Sequence, residues 1–264
     1  MIRGVRGLFP FLVGCTLAAG PLLGQTVTLR IAPPAGDTLR MQLEQRFEME
    51  SGDPPETMSG EMRVWTRAIV LRRAHGYTDL LSVTDSVRVF PSNVALRPLR
   101  QAQRALEGRT VRLRVDESGG MSVGTGGPED VFGVGTQTPS MLPPHAVAVG
   151  HTWVRDMRVP LSTTGPSTAD VRTTFRLDSL AGRGAVAYVS FHGAVTHDHA
   201  QDGTGTVGKT FGTIEGTMQV DRRLGWITDS QMVVSVVSDV HPLGRPPIHA
   251  RMRIVQSLME LVGN

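Results

Sequence analysis

The stretch MQLEQRFEME, residues Met41–Glu50, decides the fold class of this chain. Its apolar residues Met41, Leu43, Phe47 and Met49 alternate with glutamine, glutamate and arginine. A period of two places successive side chains on opposite faces of a strand, whereas a helix requires a period near 3.6. The stretch therefore predicts a β-strand with one buried face and one solvated face.

The same alternation recurs along most of the chain. It is present at residues 63–73, 110–115, 170–180, 184–195, 216–220, 231–240 and 248–255. Turn-rich segments such as SGDPPET and DRRLG separate these runs, and the chain contains 30 Gly and 17 Pro. We therefore expect a mainly β protein with an antiparallel curled sheet, either a half-barrel or a sandwich. One or two short helices are expected, one of them near residues 96–107.

The sequence also suggests two related halves. Gly36-Asp37-Thr38 and Gly150-His151-Thr152 each precede a strand, and Val115-Asp116 and Val220-Asp221 each end a strand before a glycine turn. This pattern predicts a first half at 26–118 and a second half at 149–264, joined by a Gly/Pro-rich connection at 119–148. The alternative is that Val-Asp hairpins recur by chance.

Residues 1–25 have the pattern of an export signal: a basic head with Arg3 and Arg6, followed by a short apolar segment. Residues 12–15 resemble a bacterial lipobox, so Cys15 is a candidate for lipidation. One alternative is ordinary signal cleavage near Gly24 or Gln25. The other is that the apolar segment is retained as a single membrane anchor. We expect an exported protein, either secreted or located in the periplasm or at the outer membrane of a Gram-negative-type bacterium. A lipid anchor at Cys15 would be its only membrane attachment.

The charge pattern argues against a nucleic-acid partner. The chain has 27 Lys and Arg against 24 Asp and Glu. Its arginines alternate with apolar residues, as in Val111–Val115, which is typical of a solvated strand face rather than a basic patch. Cys15 is the only cysteine, so disulfide and thiol chemistry are not expected in the folded part.

Two motif matches are interpreted as coincidental. GTGTVGKT, residues Gly203–Thr210, fits the phosphate-loop pattern, but such a loop precedes a helix. The residues that follow include Gly212 and Gly216 and alternate with a period of two, so a glycine-rich loop leading into a strand is expected, with no nucleotide. GMSVG, residues Gly120–Gly124, fits a nucleophile elbow without the helix that an elbow requires. No catalytic residue and no cofactor are therefore predicted.

A weak candidate metal site consists of His197, His199 and Asp202. If the strand continued, the two histidines would share a face and could supply ligands together with the aspartate. The neighbouring sequence QDGTG favours a polar loop with exposed histidines instead.

Three motifs carry a resemblance that spans most of the chain. They are L-x-G-x-x-V-x-L-x-V-D at Leu106–Asp116, V-G-x-x-W at Val149–Trp153 and G-x-x-x-V-D-x-x-x-G-W at Gly216–Trp226. With them the sequence resembles uncharacterised exported β-rich proteins of bacteria, many of them lipoproteins. It is loosely similar to lipoprotein-carrier folds.

This resemblance and the strand pattern together suggest a noncatalytic module of the cell envelope that binds or carries an apolar ligand or lipid. The alternatives are a structural or assembly protein that docks an envelope protein through its sheet, and a weak metal-binding protein.

Overall fold

The computed structural model describes residues 26–52, 54–91, 101, 103–123, 137–138, 140–160, 168–199, 207–244 and 246–261. The strands are β1 (Thr26–Val27), β2 (Thr38–Ser51), β3 (Glu56–Ala74), β4 (Tyr77–Pro91), β5 (Thr110–Asp116), β6 (Met121–Val123), β7 (Gln137–Thr138), β8 (Val147–Ala148), β9 (Thr152–Pro160), β10 (Thr168–Ala181), β11 (Val186–Asp198), β12 (Val207–Asp221), β13 (Trp226–His241) and β14 (Ile248–Glu260). Residues 101 and 103–106 are helical, within the segment where a helix is predicted.

Twelve of the strands form one antiparallel sheet. Its order is β7-β6-β5-β4-β3-β2-β14-β13-β12-β11-β10-β9, and β1 pairs with β8 in a separate two-stranded sheet. The last strand, β14, lies beside the first long strand, β2, so two meanders join into one surface. Within the described residues β7 and β9 do not pair with each other, and the curled sheet is open. The mainly β, antiparallel, curled fold is confirmed.

The two meanders share backbone details at the starts of their first strands. Gly36 and Gly150 both have positive φ, of 91° and 85°. The amide of Gly36 donates to the carbonyl of Val70 at 2.9 Å, and the amide of Gly150 donates to the carbonyl of Leu177 at 2.7 Å. Each acceptor lies in the second strand of its meander, next to a β-bulge. The G-x-T sequences therefore make equivalent turns in the two halves.

The main core lies on one face of the sheet, which we call the inner face, at one end of the strands, which we call the near end. A second, smaller buried cluster lies toward the other end of the same face and consists of Ala169, Val171, Val195 and Val236. Residues 26–34 and 140–148, called the plug, cover the near end. Leu29, Leu142 and Val147 of the plug are at most 2% exposed and pack against Phe175 of β10 and Val220 of β12. The main cluster draws on both meanders: Val27, Leu29, Ile31, Leu39, Ala68, Val70, Leu80, Val115, Leu142, Val147, Trp153, Phe175, Leu177, Ala187, Val189, Met218 and Val220.

Gly225 fixes the plug to the β12–β13 hairpin. The amide of Ala32 donates to the carbonyl of Gly225 at 2.8 Å. Gly225 has φ of 65°, and a Cβ at this position would lie 2.7 Å from the carbonyl carbon and oxygen of Ala32. Only glycine combines this backbone conformation with so close an approach.

Residues 119–148, predicted as a connection, contain secondary structure of their own. Strands β6, β7 and β8 lie within them, and β6 completes the hairpin that begins at Asp116. The described part of the predicted Gly/Pro-rich connection therefore includes short paired segments, which glycine and proline near their ends hide from the sequence pattern. Cys15 and the rest of residues 1–25 lie outside the described residues. In the described part of the chain, no helix has the length and apolar character needed to cross a membrane.

Candidate functional site

The far half of the inner face, beyond the plug, is an apolar surface. Ile214, Val234, Ile254 and Phe47 are consecutive register partners across β12, β13, β14 and β2, and all four are half-buried. We call these four residues the inner row. Half-buried methionines flank it: Met49, Met58, Met62, Met232 and Met252. Methionine side chains are flexible and polarizable and suit surfaces that adapt to apolar partners.

Two aromatic rings lie across glycines on this face. A Cβ at Gly60 would be 2.8 Å from Cε1 of Phe47, and a Cβ at Gly216 would be 2.6 Å from Cζ of Phe191. Each ring therefore occupies the space of the missing side chain on the adjacent strand. Phe191 also packs against the main core cluster, 5.5 Å from the ring of Phe175.

The opposite face of the sheet, called the outer face, is charged on β2 and β3. Arg46 bonds Glu44 at 2.6 Å and Glu61 at 3.0 Å, and Arg63 bonds Glu61 at 2.6 Å. Exposed pairs of this kind add little stability, but they show that this face is solvated.

An open groove of about 550 Å³ crosses β11, β12, β13, β14 and β2. Most of its lining side chains are polar or charged and lie on outer-face positions, among them Glu44, Arg46, His192, Glu215 and Gln231. This groove is therefore a solvated surface feature, and the apolar surface of the far half lies on the inner face.

The candidate metal residues occupy the far end of the sheet. The rings of His197 and His199 are 4.4 Å apart at 88°, and Nε2 of His199 is 2.9 Å from Oγ1 of Thr210. Thr210 is 3% exposed, and its hydroxyl also bonds Ser238 at 2.8 Å. The prediction of exposed loop histidines is wrong, because β11 continues to Asp198 and both histidines are half-buried.

Asp202, the third candidate ligand, lies outside the described residues. In the described ranges, no group of three or more His, Cys, Asp or Glu side chains could hold a metal ion. The metal-binding alternative therefore rests on two histidines, one of which already bonds a threonine hydroxyl.

The phosphate-loop match falls largely on a strand. Val207–Thr210 belong to β12, so the predicted loop does not extend through these residues. Lys209 lies on the exposed outer face, in register with Asp198 and Asp239. A phosphate loop needs free amides at the start of a helix, and a strand flanked on both sides by ladders lacks them.

The nucleophile-elbow match also falls on a strand. Ser122 lies inside β6, and register pairs it with Arg114 of β5. An elbow serine instead occupies a sharp turn between a strand and a helix.

Asp116 organises the turn after β5. Burial alone would raise its pKa, but hydrogen bonds outweigh burial and hold the pKa of this carboxyl below its usual range. The donors are the hydroxyl and amide of Ser118, the amide of Gly120 and the hydroxyl of Ser140. Ser140 belongs to the plug, so this ionised carboxylate also links the turn to the plug.

The inner row was not predictable from periodicity. Alternation assigns each residue to a face of its own strand, but it does not reveal which strands are neighbours. Phe47 and Ile254 are separated by 207 positions in sequence and meet only because β14 returns beside β2.

Comparisons with known proteins give only distant similarities. Neither known protein families nor curated proteins match the sequence. Among solved structures the chain is similar to OccK5 of Pseudomonas aeruginosa, with 8% identity and a TM-score of 0.28 over 88% of this chain and 100% of that one. It is similar to OccK11 of Pseudomonas aeruginosa, with 7% identity and a TM-score of 0.30 over 87% and 98%. It is similar to OccAB2 of Acinetobacter baumannii, with 6% identity and a TM-score of 0.30 over 88% and 100%.

At identities of 6% to 8% and TM-scores of at most 0.30, the similarity carries no argument about the role of this chain.

Proposed function

We propose that this chain is an exported, noncatalytic protein of the cell envelope that binds the hydrocarbon chain of a lipid on the far half of its inner face. The observation that carries the proposal is the contrast between the two halves of that face. At the near end the plug buries the apolar side chains almost completely, and Leu142 is 0% exposed. In the far half a small cluster of Ala169, Val171, Val195 and Val236 is buried. The inner row and the methionines beside it are only half-buried.

A hydrocarbon chain fits this surface better than a folded partner does. The inner row crosses four strands, which at ~4.8 Å between strands gives an apolar path on the order of 14 Å long. Flexible methionines on both sides can adjust to a chain of varying length and saturation. Contiguous apolar surface that the described part of the chain leaves partly exposed is a feature of binding sites.

The test compares two pairs of residues on opposite faces of β2 and β14. Met49 and Met252 are register partners on the inner face, and Glu48 and Arg253 are register partners on the outer face. The double variant Met49→Gln/Met252→Gln makes the inner face polar with little change in side-chain volume. Glu48→Gln/Arg253→Gln is the matched control.

Binding is measured with the uncharged fluorophore N-phenyl-1-naphthylamine, displaced by oleyl alcohol. Each half-buried methionine is expected to contribute about 1 kcal/mol to binding, about half of full burial, so the inner-face variant should lose roughly tenfold or more in affinity. The control should bind as the native protein does. Equal affinity in all three proteins would contradict the proposal and favour docking of a partner protein through the sheet.

A further inference from the structure

A polar site interrupts the inner face where the near-end core meets the far half. Arg155 of β9, Thr173 of β10 and Gly193 of β11 are consecutive register partners. Ile214, the first residue of the inner row, is the next partner after Gly193. The guanidinium-bearing residue Arg155 therefore lies on the same line of register partners across the strands as the inner row.

Two atoms of this site are buried without a partner. Nε of Arg155 and Oγ1 of Thr173 are inaccessible to solvent and form no hydrogen bond within the described part of the chain. Thr173 is 0% exposed. A Cβ at Gly193 would lie 2.8 Å from Oγ1 of Thr173, so the hydroxyl takes up the space of the side chain that this glycine lacks. Buried polar atoms normally have a partner, and two adjacent exceptions indicate a site for a ligand.

The charge of Arg155 is likewise uncompensated among the described residues. Its Nη2 donates to the carbonyl of Leu142 in the plug, and none of the described carboxylates forms an ion pair with it. A half-buried guanidinium without a countercharge favours an anion at its remaining donors.

We propose, on the basis of the function proposed above, that the ligand is an anionic amphiphile whose carboxylate or phosphate head binds Arg155 and Thr173. The hydrocarbon tail extends from Gly193 along the inner row. Apolar side chains flank the polar site along β10. Phe175 lies toward the near end and Val171 toward the far end. The site therefore offers one cationic group and one hydroxyl within an apolar path, which favours a ligand with a single charged head over a wholly polar ligand.

The experiment measures displacement of N-phenyl-1-naphthylamine from the full chain by four ligands with the same tail: oleate, oleyl phosphate, oleyl alcohol and oleylamine. In the native protein, at least one of the two anions should bind about tenfold more tightly than the alcohol, because charge-assisted hydrogen bonds are stronger than hydrogen bonds between neutral groups. Comparison of oleate with oleyl phosphate identifies the head group. The cationic amine should bind more weakly than the alcohol.

Arg155→Gln should reduce the preference for the anion to less than about threefold, and Arg155→Lys should restore part of it. The matched control is Arg172→Gln, which removes the same charge from the exposed outer face of β10, next to Thr173. The control should retain the full preference for the anion.

Two results would overturn this inference alone. They are equal binding of the anions and the alcohol by the native protein, and an anion preference that survives Arg155→Gln. If none of the four ligands displaces the probe, the proposed lipid-binding function fails as well. The comparison of the four ligands on the native protein needs no variant, so it tests the inference even if Arg155→Gln does not fold.

Discussion

Replacement of Gly225 by alanine tests how the plug is held against the sheet. The added methyl group would lie 2.7 Å from the carbonyl carbon and oxygen of Ala32, more than half an ångström inside an ordinary contact. The obstructing atoms are backbone, so they cannot rotate away as a side chain would. We therefore expect Gly225→Ala to displace the plug at Ala32.

The expected loss of stability has three parts. An alanine with φ of 65° costs about 1 kcal/mol. The hydrogen bond from Ala32 to Gly225 contributes about 1 kcal/mol, and partial exposure of Ile31, now 2% exposed, costs about 2 kcal/mol. Together these amount to about 4 kcal/mol, a large fraction of the stability of a typical domain.

Gly244→Ala is the matched control. Gly244 has φ of 70°, and nothing lies within 4 Å of the Cβ that alanine would add. This variant should therefore lose only about 1 kcal/mol, from the backbone conformation alone. Guanidinium unfolding followed by far-UV circular dichroism gives the free energy of unfolding of both variants. If the two free energies differ by less than about 0.5 kcal/mol, the contact between Gly225 and Ala32 does not hold the plug.

Three further predictions follow from other parts of the fold. Leu177→Ala should destabilise the protein by about 3 kcal/mol because Leu177 is 0% exposed, whereas Leu243→Ala, at 84% exposure, should cost less than about 0.5 kcal/mol in the same unfolding assay. The pKa of Asp116 is lowered in the folded state, so its contribution to stability is present above roughly pH 4 and is lost as the pH falls further. Asp116→Asn should therefore reduce the loss of unfolding free energy between roughly pH 4 and lower pH. An unchanged loss in a pH series of unfolding curves would refute the role of the carboxylate. Lys209→Ala, on the exposed outer face, should leave unfolding and any measured ATP association unchanged, and a loss of ATP affinity would revive the phosphate-loop interpretation.

Local pattern predicted the class of the fold and the faces of individual strands. Met41 and Phe47 lie on the inner face, and Glu44 and Arg46 on the outer face, as their alternation predicts. Periodicity succeeds here because the two faces of a strand are fixed by backbone geometry alone.

Prediction was weakest at the ends of strands. The sequence pattern predicts a loop at Val207–Thr210 and at His197, but the sheet incorporates both segments. Glycine-rich and polar residues favour turns in isolation, and pairing with β13 on the far side of β12 overrides that preference.

The sequence by itself determined that this chain folds into amphipathic antiparallel strands, since each residue's face depends only on its neighbours along the chain. The tertiary structure alone decided that the plug fills one end of the inner face and leaves the inner row half-buried at the other. It also placed Arg155 beside Thr173 and in line with Ile214. The physical reason is that register and strand order arise from pairings between residues far apart in sequence, which no local period encodes.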